Sequence, residues 1–408
     1  MTSQEITPAA RNACGGTAGA TLVTQVRQSG ELFLRGGGRP YNALLLTDTF
    51  RLAYRALRCF RAAGANVHVL GSKNSKGFTY SRLCSSFHYR YNDYHGDLSP
   101  LIDEINNLIV KLDIDMIACG DHYMVRPFIK MSSELNALCF PMPTIDQYEL
   151  LNDKWRFTQL CNDLGVRCPR SRLFKNETVL RAAIECGEVT TPCMVKPVNF
   201  DGSRGVFAVR SRLELHKLES IEFSPILVQE FIAGHDICAS VYCDKGEIRA
   251  FMAHRYARGT YRTFESSAIR ADLEKILAAT KTSGVLNFDM RLGLDGAVYW
   301  LECNPRFFMS IFNSYLAGVS FVEFGLPNWR ISGSSSPAAG TNVRFFKGVA
   351  AEILHPWRLT RRDLAYLGAV LADPLPWARE ALGFESSGFL TTPVAAPSVT
   401  ARVPEPSA

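Results

Sequence analysis

Val285-Leu286-Asn287-Phe288-Asp289-Met290-Arg291-Leu292-Gly293-Leu294-Asp295-Gly296-Ala297-Val298-Tyr299-Trp300-Leu301-Glu302-Cys303-Asn304-Pro305-Arg306 is the stretch whose reading decides the fold. Asp295-Gly296 suits a two-residue hairpin loop, because both positions tolerate a positive φ. With that loop, Leu294 faces Ala297, Asp289 falls opposite Glu302, and Asn287 lies opposite Asn304. Leu286, Phe288, Met290 and Leu292 then share one face with Tyr299 and Leu301, and this face is predicted to pack on a core. The other face presents Asn287, Asp289, Glu302 and Asn304. Directly opposed carboxylates repel and weaken a hairpin, a conflict that a divalent cation removes. Two carboxylates and an amide suit Mg²⁺ held against substrate phosphates. A solvated sheet face that carries acids is the plainer alternative, and a slip of one residue would undo the pairing.

Upstream, Met194-Val195-Lys196-Pro197 precedes Asn199-Phe200-Asp201-Gly202-Ser203-Arg204-Gly205. A lysine ending a buried strand, beside a loop with glycines, can hold a phosphate by charge and by backbone N–H donors. The loop is not a Walker A sequence, and by itself its composition also fits a simple turn. Gln229-Glu230-Phe231-Ile232 ends an apolar run and leads into Gly234-His235-Asp236. Such a strand edge can offer backbone groups to adenine, and Asp236 can accept a ribose hydroxyl. A core strand followed by a turn accounts for the same residues equally well.

The surroundings change character along the chain. Asn42 to Thr47, Asn66 to Leu70 and Asp115 to Cys119 read as buried strands. They alternate with helical stretches at Thr49 to Ala63, which Gly64 ends, and at Pro100 to Lys111. This is the pattern of a parallel α/β domain over 41–145. Gln147 to Leu164 reads as one helix. Strands then follow at Cys193 to Val198, Val206 to Arg210, Ile226 to Ile232, Asp236 to Asp244 and Glu247 to Ala253, with a helix at Leu273 to Thr280. This hairpin-rich α+β pattern assigns 146–326 to a second domain. Residues 1–40 are expected to be a flexible segment and 327–408 a partly disordered extension, with a helix at Thr360 to Leu371.

In their order and spacing these segments resemble the ATP-grasp family. The resemblance rests on Lys154 in Asn-Asp-Lys-Trp, Lys196 in Met-Val-Lys-Pro, the glycine loop, the stretch Gln229 to Asp236, Asn287-Phe288-Asp289, and Leu301-Glu302-Cys303-Asn304-Pro305-Arg306. It implies an ATP-grasp fold of two α+β subdomains preceded by the parallel α/β domain. Lys154 and Lys196 would contact phosphate oxygens, with Gly202, Ser203 and Gly205 closing over them. Gln229, Glu230, Phe231 and Ile232 would line the adenine pocket, and Asp236 would meet the ribose, where the family more often has Glu. Asp289, Glu302 and Asn304 match metal-ligand positions for Mg²⁺, with Mn²⁺ as an alternative. Arg306 and Lys196 would serve the transferred phosphate.

The activity implied is ATP-dependent: a carboxylate becomes an acyl phosphate, which an amine or other nucleophile then attacks. A phosphotransferase acting on a hydroxyl and an ATP-binding module without turnover are the competing readings. Between Arg249 and Arg270 an aromatic, arginine-rich loop with His254, Arg255, Arg258 and Arg262 could clamp a carboxylate; a solvated surface loop is the alternative. Asn313, Ser314 and Tyr315 follow the hairpin and are further substrate-side candidates. Cys303, on the opposite strand face from the ligands, should be buried and inert.

Composition is consistent with this picture. Of 408 residues, 47% are hydrophobic and 21% charged, which is ordinary for a globular chain. A net charge of +6 without a dense basic tract does not indicate nucleic acid. No apolar run approaches the length of a membrane span, and the N-terminus lacks the pattern of a secretory signal. Twelve scattered cysteines form no C-x-x-C pair or zinc spacing, so a reducing, cytoplasmic setting is expected. The partners implied are a small-molecule carboxylate and an amine or thiol; neither nucleic acid nor a membrane is expected, and a homodimer is left open.

Overall fold

The protein is seen in a computed structural model that describes residues 40–381 apart from 92–95, 258–259 and most of 327–355. Expectations for residues 1–39 and 382–408 lie outside the described residues.

The first layer is a five-stranded parallel sheet, in the order β3-β2-β1-β4-β5. It comprises β1 (Asn42–Thr47), β2 (Asn66–Gly71), β3 (Cys84–Tyr89), β4 (Met116–Cys119) and β5 (Leu138–Cys139). Helices α1 (Arg51–Ala62), α2 (Ser99–Leu112) and α3 (His122–Met131) connect the strands. Leu44, Leu46 and Ile117 bury against α2 and α3 on one face, while Leu45 and Val67 face α1 on the other. Two-sided burial is why these strands read as continuous apolar runs. The strand order reverses between β1 and β4, and such switch points open a crevice at the strand ends. There Asp121 Oδ2 accepts from Thr47 Oγ1 (2.8 Å) and from the amides of Asp48 and Thr49.

The predicted single helix over Gln147 to Leu164 is two helices, α4 (Ile145–Asn152) and α5 (Lys154–Asp163). The chain breaks at Asp153, which is extended (φ −76°, ψ 116°) and accepts from the amides of Trp155 and Arg156, both at 2.9 Å. Capping competes with helix continuation at an Asp. The break makes Lys154 the first residue of a helix whose amide donates to Val198 O.

A four-stranded antiparallel sheet follows, in the order β6-β9-β7-β8. Its strands are β6 (Ser171–Phe174), β7 (Cys193–Pro197), β8 (Phe207–Val209) and β9 (Ile226–Glu230), covered by α6 (Glu177–Glu185). The next sheet has six strands in the order β14-β13-β10-β11-β12-β15. These are β10 (Gly234–Asp244), β11 (Glu247–Ala257), β12 (Thr260–Phe264), β13 (Gly284–Gly293), β14 (Val298–Asn304) and β15 (Asn342–Arg344). Helix α7 (Ser267–Thr280) packs on one face, where Ile237, Ala239, Phe251 and Phe288 meet Leu273, Ile276 and Leu277. Helix α8 (Ile311–Leu316) follows the last hairpin.

The β13–β14 hairpin keeps the predicted pairs Asp289 with Glu302 and Asn287 with Asn304, but by another route. The loop has one residue more than expected, with Gly293 N donating to Ala297 O at 2.8 Å and Gly296 at φ 78°. A bulge at Leu301 absorbs the extra residue. Before the bulge the faces are therefore exchanged: Trp300 faces the core, fully buried and edge-on to Phe288 (centroids 5.3 Å apart). Tyr299 and Leu301, expected inside, are only half buried, and Tyr299 Oη donates to Asp295 Oδ2 at 2.9 Å.

Part of the expected 327–408 extension is integral to the fold. Helices α9 (Arg361–Ala372) and α10 (Pro374–Ala381) return to the first sheet's layer. Asp373, fully buried, accepts from Tyr54 Oη (2.8 Å), Ser81 Oγ (2.5 Å) and Arg82 N (2.9 Å). No helix among the described residues is long and apolar enough to cross a membrane.

Candidate active site

Opposed residues of an antiparallel pair point to the same face, so the registers define a row across the large sheet. It runs Glu302 (β14), Asp289 (β13), Cys238 (β10), His254 (β11), Thr263 (β12). The adjacent row begins Asn304, Asn287, Ser240. Asp289 is held by both rows: Oδ1 accepts from Asn287 Nδ2 (3.1 Å) and Cys238 Sγ (3.2 Å), and Oδ2 accepts from Asn304 Nδ2 (3.1 Å). Ser240 Oγ donates to Asn287 Oδ1 at 2.9 Å, which fixes the amide's orientation.

The two lysines converge from the other side of the cleft. Lys154, 5% exposed, places Nζ 3.1 Å from Glu302 Oε2 and donates to Phe200 O at 2.9 Å. Lys196, 6% exposed, lies on β7. Burial pulls the Lys196 ammonium below its ordinary range, with Glu302 opposing that shift and Lys154 adding to it. Burial also works against the Glu302 carboxylate, but Lys154 and Lys196 outweigh it and hold Glu302 below the usual range. Asp289 is pushed up to about 7 by burial and by Glu302. The like charges of the pair are thus in conflict, and a bound cation would relieve it.

Among the described residues, no group of three or more His, Cys, Asp or Glu is placed to hold a metal. A cation at Asp289, Glu302 and Asn304 would draw its remaining oxygens from its ligand, which fits Mg²⁺ better than a metal caged entirely by protein.

The loop after β7 is left-handed at Gly202 (φ 65°), Ser203 (φ 60°) and Gly205 (φ 71°). That conformation is strained for an L-residue at Ser203, and the loop is closed by Arg204 N donating to Asp201 O and Val206 N donating to Ser203 O. Asp201 anchors the loop at its base. Its Oδ1 lies 2.7 Å from Arg306 Nη2, and its Oδ2 is 4.0 Å from His122 Nε2. Arg306 Nη2 also donates to Asn304 Oδ1 at 2.8 Å. Asp201, His122, Cys238 and Ser240 received no role from sequence. Only the position of Asp201 inside the glycine loop hinted at one; the others depend on strand register and on the β1–β4 switch point.

The remaining candidates fall in several places. Gln229 is buried on β9 and donates to Ser171 Oγ at 3.0 Å, whereas Glu230 pairs with the exposed Arg170. Phe231 and Ile232 are half buried where β9 passes into β10, and Ile232 O accepts from Arg291 Nε at 2.8 Å. Asp236 is exposed and ion-paired with Arg291 at 2.5 Å. The supposed loop after Arg249 is the β11–β12 hairpin, and alternation sends its side chains to both faces. Arg255 pairs with Arg262 on the face away from Asp289, so the structure does not bring Arg255 to the cluster. Arg258 lies outside the described residues.

His254 shares the cluster's face but is fully buried, stacked on Tyr261 at 4.3 Å. Neither ring nitrogen has a well-formed hydrogen bond among the described residues, and burial lowers its pKa to about 3 against a smaller opposing influence of the Met252 backbone. The ring is thus held neutral within the packing of the sheet face, not in a solvated loop. Asn313 is buried on α8, its Nδ2 without a partner among the described residues, beside Ser314, whose Oγ lies 2.9 Å from Tyr261 Oη. Cys303 is buried as expected and its thiol is pushed well up by burial.

Two antiparallel sheets that bring these lysines against the carboxylate hairpin make an ATP-grasp fold, and two stretches of the chain match ATP-grasp family models. Residues 151–282 match a family model described as a RimK-like ATP-grasp domain. Residues 222–345 match one described as ATP-grasp in the biosynthetic pathway with Ter operon. The carbamoyl phosphate synthase large chain of Neisseria meningitidis serogroup B is 27% identical over 229 residues, covering 50% of this chain and 21% of that protein. The L-amino acid ligase from Bacillus licheniformis superposes with a TM-score of 0.54 at 17% identity, over 71% of this chain and 74% of that one. The biotin carboxylase domain of Hydrogenobacter thermophilus 2-oxoglutarate carboxylase, a dimer solved with MgADP and bicarbonate, gives 0.56 at 16% identity, over 73% and 72%. At these identities the solved structures show the fold.

Proposed function

We propose that the protein is an ATP-dependent ligase that activates a small-molecule carboxylate as an acyl phosphate, for attack by an amine or thiol. The observation that carries this reading is the pairing of Asp289 with Glu302 beneath Lys154 and Lys196. The four side chains come from separate elements and converge on one point of the cleft. The MgADP of the Hydrogenobacter neighbour and the ligase chemistry named for the relatives support the same assignment.

Lys154 and Lys196 would bind phosphate oxygens, and the amides of Gly202, Ser203 and Gly205 would close over them. Asp289, Glu302 and Asn304 would hold Mg²⁺, which would supply Lewis acidity at the phosphates. Arg306, buried at the cleft floor, would neutralise charge on the phosphate in flight, so that positioning and electrostatics do most of the work. Tyr256, partly exposed on the same sheet face as His254, would stand on the side of the acyl group. No nucleophilic side chain is required.

Calorimetric titration of ATP with and without Mg²⁺, on the wild type and on Glu302→Ala, tests the site. Mg²⁺-enhanced binding should appear in the wild type and vanish in the variant; retention in the variant would remove the metal assignment. A screen for ADP release should then require both an acid and a nucleophile. Release with a hydroxyl compound alone would make the protein a phosphotransferase.

A further inference from the structure

Where α1, α8 and α9 meet, the described residues line a cavity of about 1300 Å³. None of its lining residues belongs to the carboxylate–lysine cluster. Four arginines, Arg58, Arg61, Arg361 and Arg362, line it against a single acid, Glu323. Arg58 is only 7% exposed. Its guanidinium lies 4.9 Å from the ring centroid of Tyr54 and 5.0 Å from that of Phe312, and Nη2 donates to Ala369 O at 2.7 Å. The buried Nε atoms of Arg58 and Arg61 and the Ser320 hydroxyl have no hydrogen-bond partner among the described residues. Another part of the wall is aromatic, with Phe312 and Tyr315 stacked at 5.8 Å.

Arg61 is half-buried, with Nη1 donating to Ala65 O (2.9 Å) and Asn66 Oδ1 (3.1 Å), and Arg361 and Arg362 are exposed. Positive charge therefore outweighs the lone carboxylate around this opening, and an anion would relieve the imbalance. The planar guanidinium forks match phosphate oxygens, and the aromatic wall matches a flat apolar body. We propose that this cavity binds a small organic phosphate carrying an aromatic or similarly flat group, at a site separate from the nucleotide cleft. Because the arginines come from α1 and α9, the ligand would tie the last helices to the first domain. This inference does not depend on the ligase reading.

Fluorescence titration of the full chain with 1-naphthyl phosphate, in saturating Mg·ATP to occupy the cleft, tests it. Saturable binding is expected in the wild type. Arg61→Gln/Arg362→Gln should weaken it about tenfold or more, an energy of about 1.4 kcal/mol. Ala365→Trp, which fills the space and leaves the charges, should do the same, and ATP binding should be unchanged in both variants. 1-Naphthol should bind far more weakly, and inorganic phosphate should compete only at high concentration. Equal affinity in the wild type and both variants would overturn the proposal. So would the absence of saturable binding, or probe displacement that tracks ATP occupancy of the cleft.

Discussion

Asp201 of the glycine loop is ion-paired with Arg306, just beyond the carboxylate hairpin, at 2.7 Å. The pair joins the part of the site that would cover phosphates to the part that would hold the metal. Burial acts against the Asp201 carboxylate, but Arg306 and then His122 hold its pKa down to about 2. Asp201 thus occupies the guanidinium that an incoming anion would need.

Asp201→Asn should leave Arg306 buried without its counter-charge. A loss of about 2 kcal/mol in denaturant unfolding is expected, typical of a hydrogen bond to a charged group. Faster proteolysis at Arg204 should accompany it, because the loop loses its anchor. Unchanged stability would mean that Arg306 finds another acceptor.

Lys196→Ala should weaken ATP binding by about tenfold or more, roughly 1.4 kcal/mol, while adenosine binding hardly changes. Parallel titrations of the two ligands separate a phosphate contact from a general collapse of the cleft.

Asp153→Ala removes the cap that starts α5 and should cost about 1 kcal/mol of stability. Because the same residue fixes the position of Lys154, ATP affinity should fall with it. Asp153→Asn, which can still cap, should restore both.

His254 links stability to pH. Its imidazole titrates near 6.5 when unfolded and near 3 when buried in the folded protein. Its contribution is therefore fully present above pH 6.5 and is lost as pH falls from 6.5 toward 3. His254→Phe should flatten the fall in Tm over that window relative to the wild type. An identical pH profile would show that other groups govern acid unfolding.

Trp300→Ala should cost about 3–5 kcal/mol, as expected for emptying a large buried site, while Tyr299→Ala should cost far less. Equal losses would contradict the bulge at Leu301.

Much of the fold was legible because periodicity reports burial. Asn42–Thr47 was bounded correctly from its apolar run, and the parallel strands at 66 and 115 followed from two-sided burial. The pairing of Asp289 with Glu302 was also legible, although through two errors that cancel: a loop one residue too short and a bulge that went unseen. A bulge has no composition signal, so Tyr299 was placed inside where Trp300 belongs. Asp153 was hidden inside a helical pattern because propensity is blind to a cap that interrupts two helices. The strand read as ending at Ala253 continues as β11 to Ala257, and β12 follows, so His254 and Arg255, read as sharing a loop, are separated by alternation. His122 and Cys238 reach the site only through long-range register, which a single sequence does not encode locally.

The carboxylate of Asp373 receives three donors from the first eighty-two residues of the chain. A fragment cut after Leu326 would contain every residue of the nucleotide cleft and yet leave Tyr54, Ser81 and the Arg82 amide without their acceptor. Expression boundaries drawn around the carboxylate–lysine cluster alone would thus yield a destabilised first domain, and the loss would register far from that cluster.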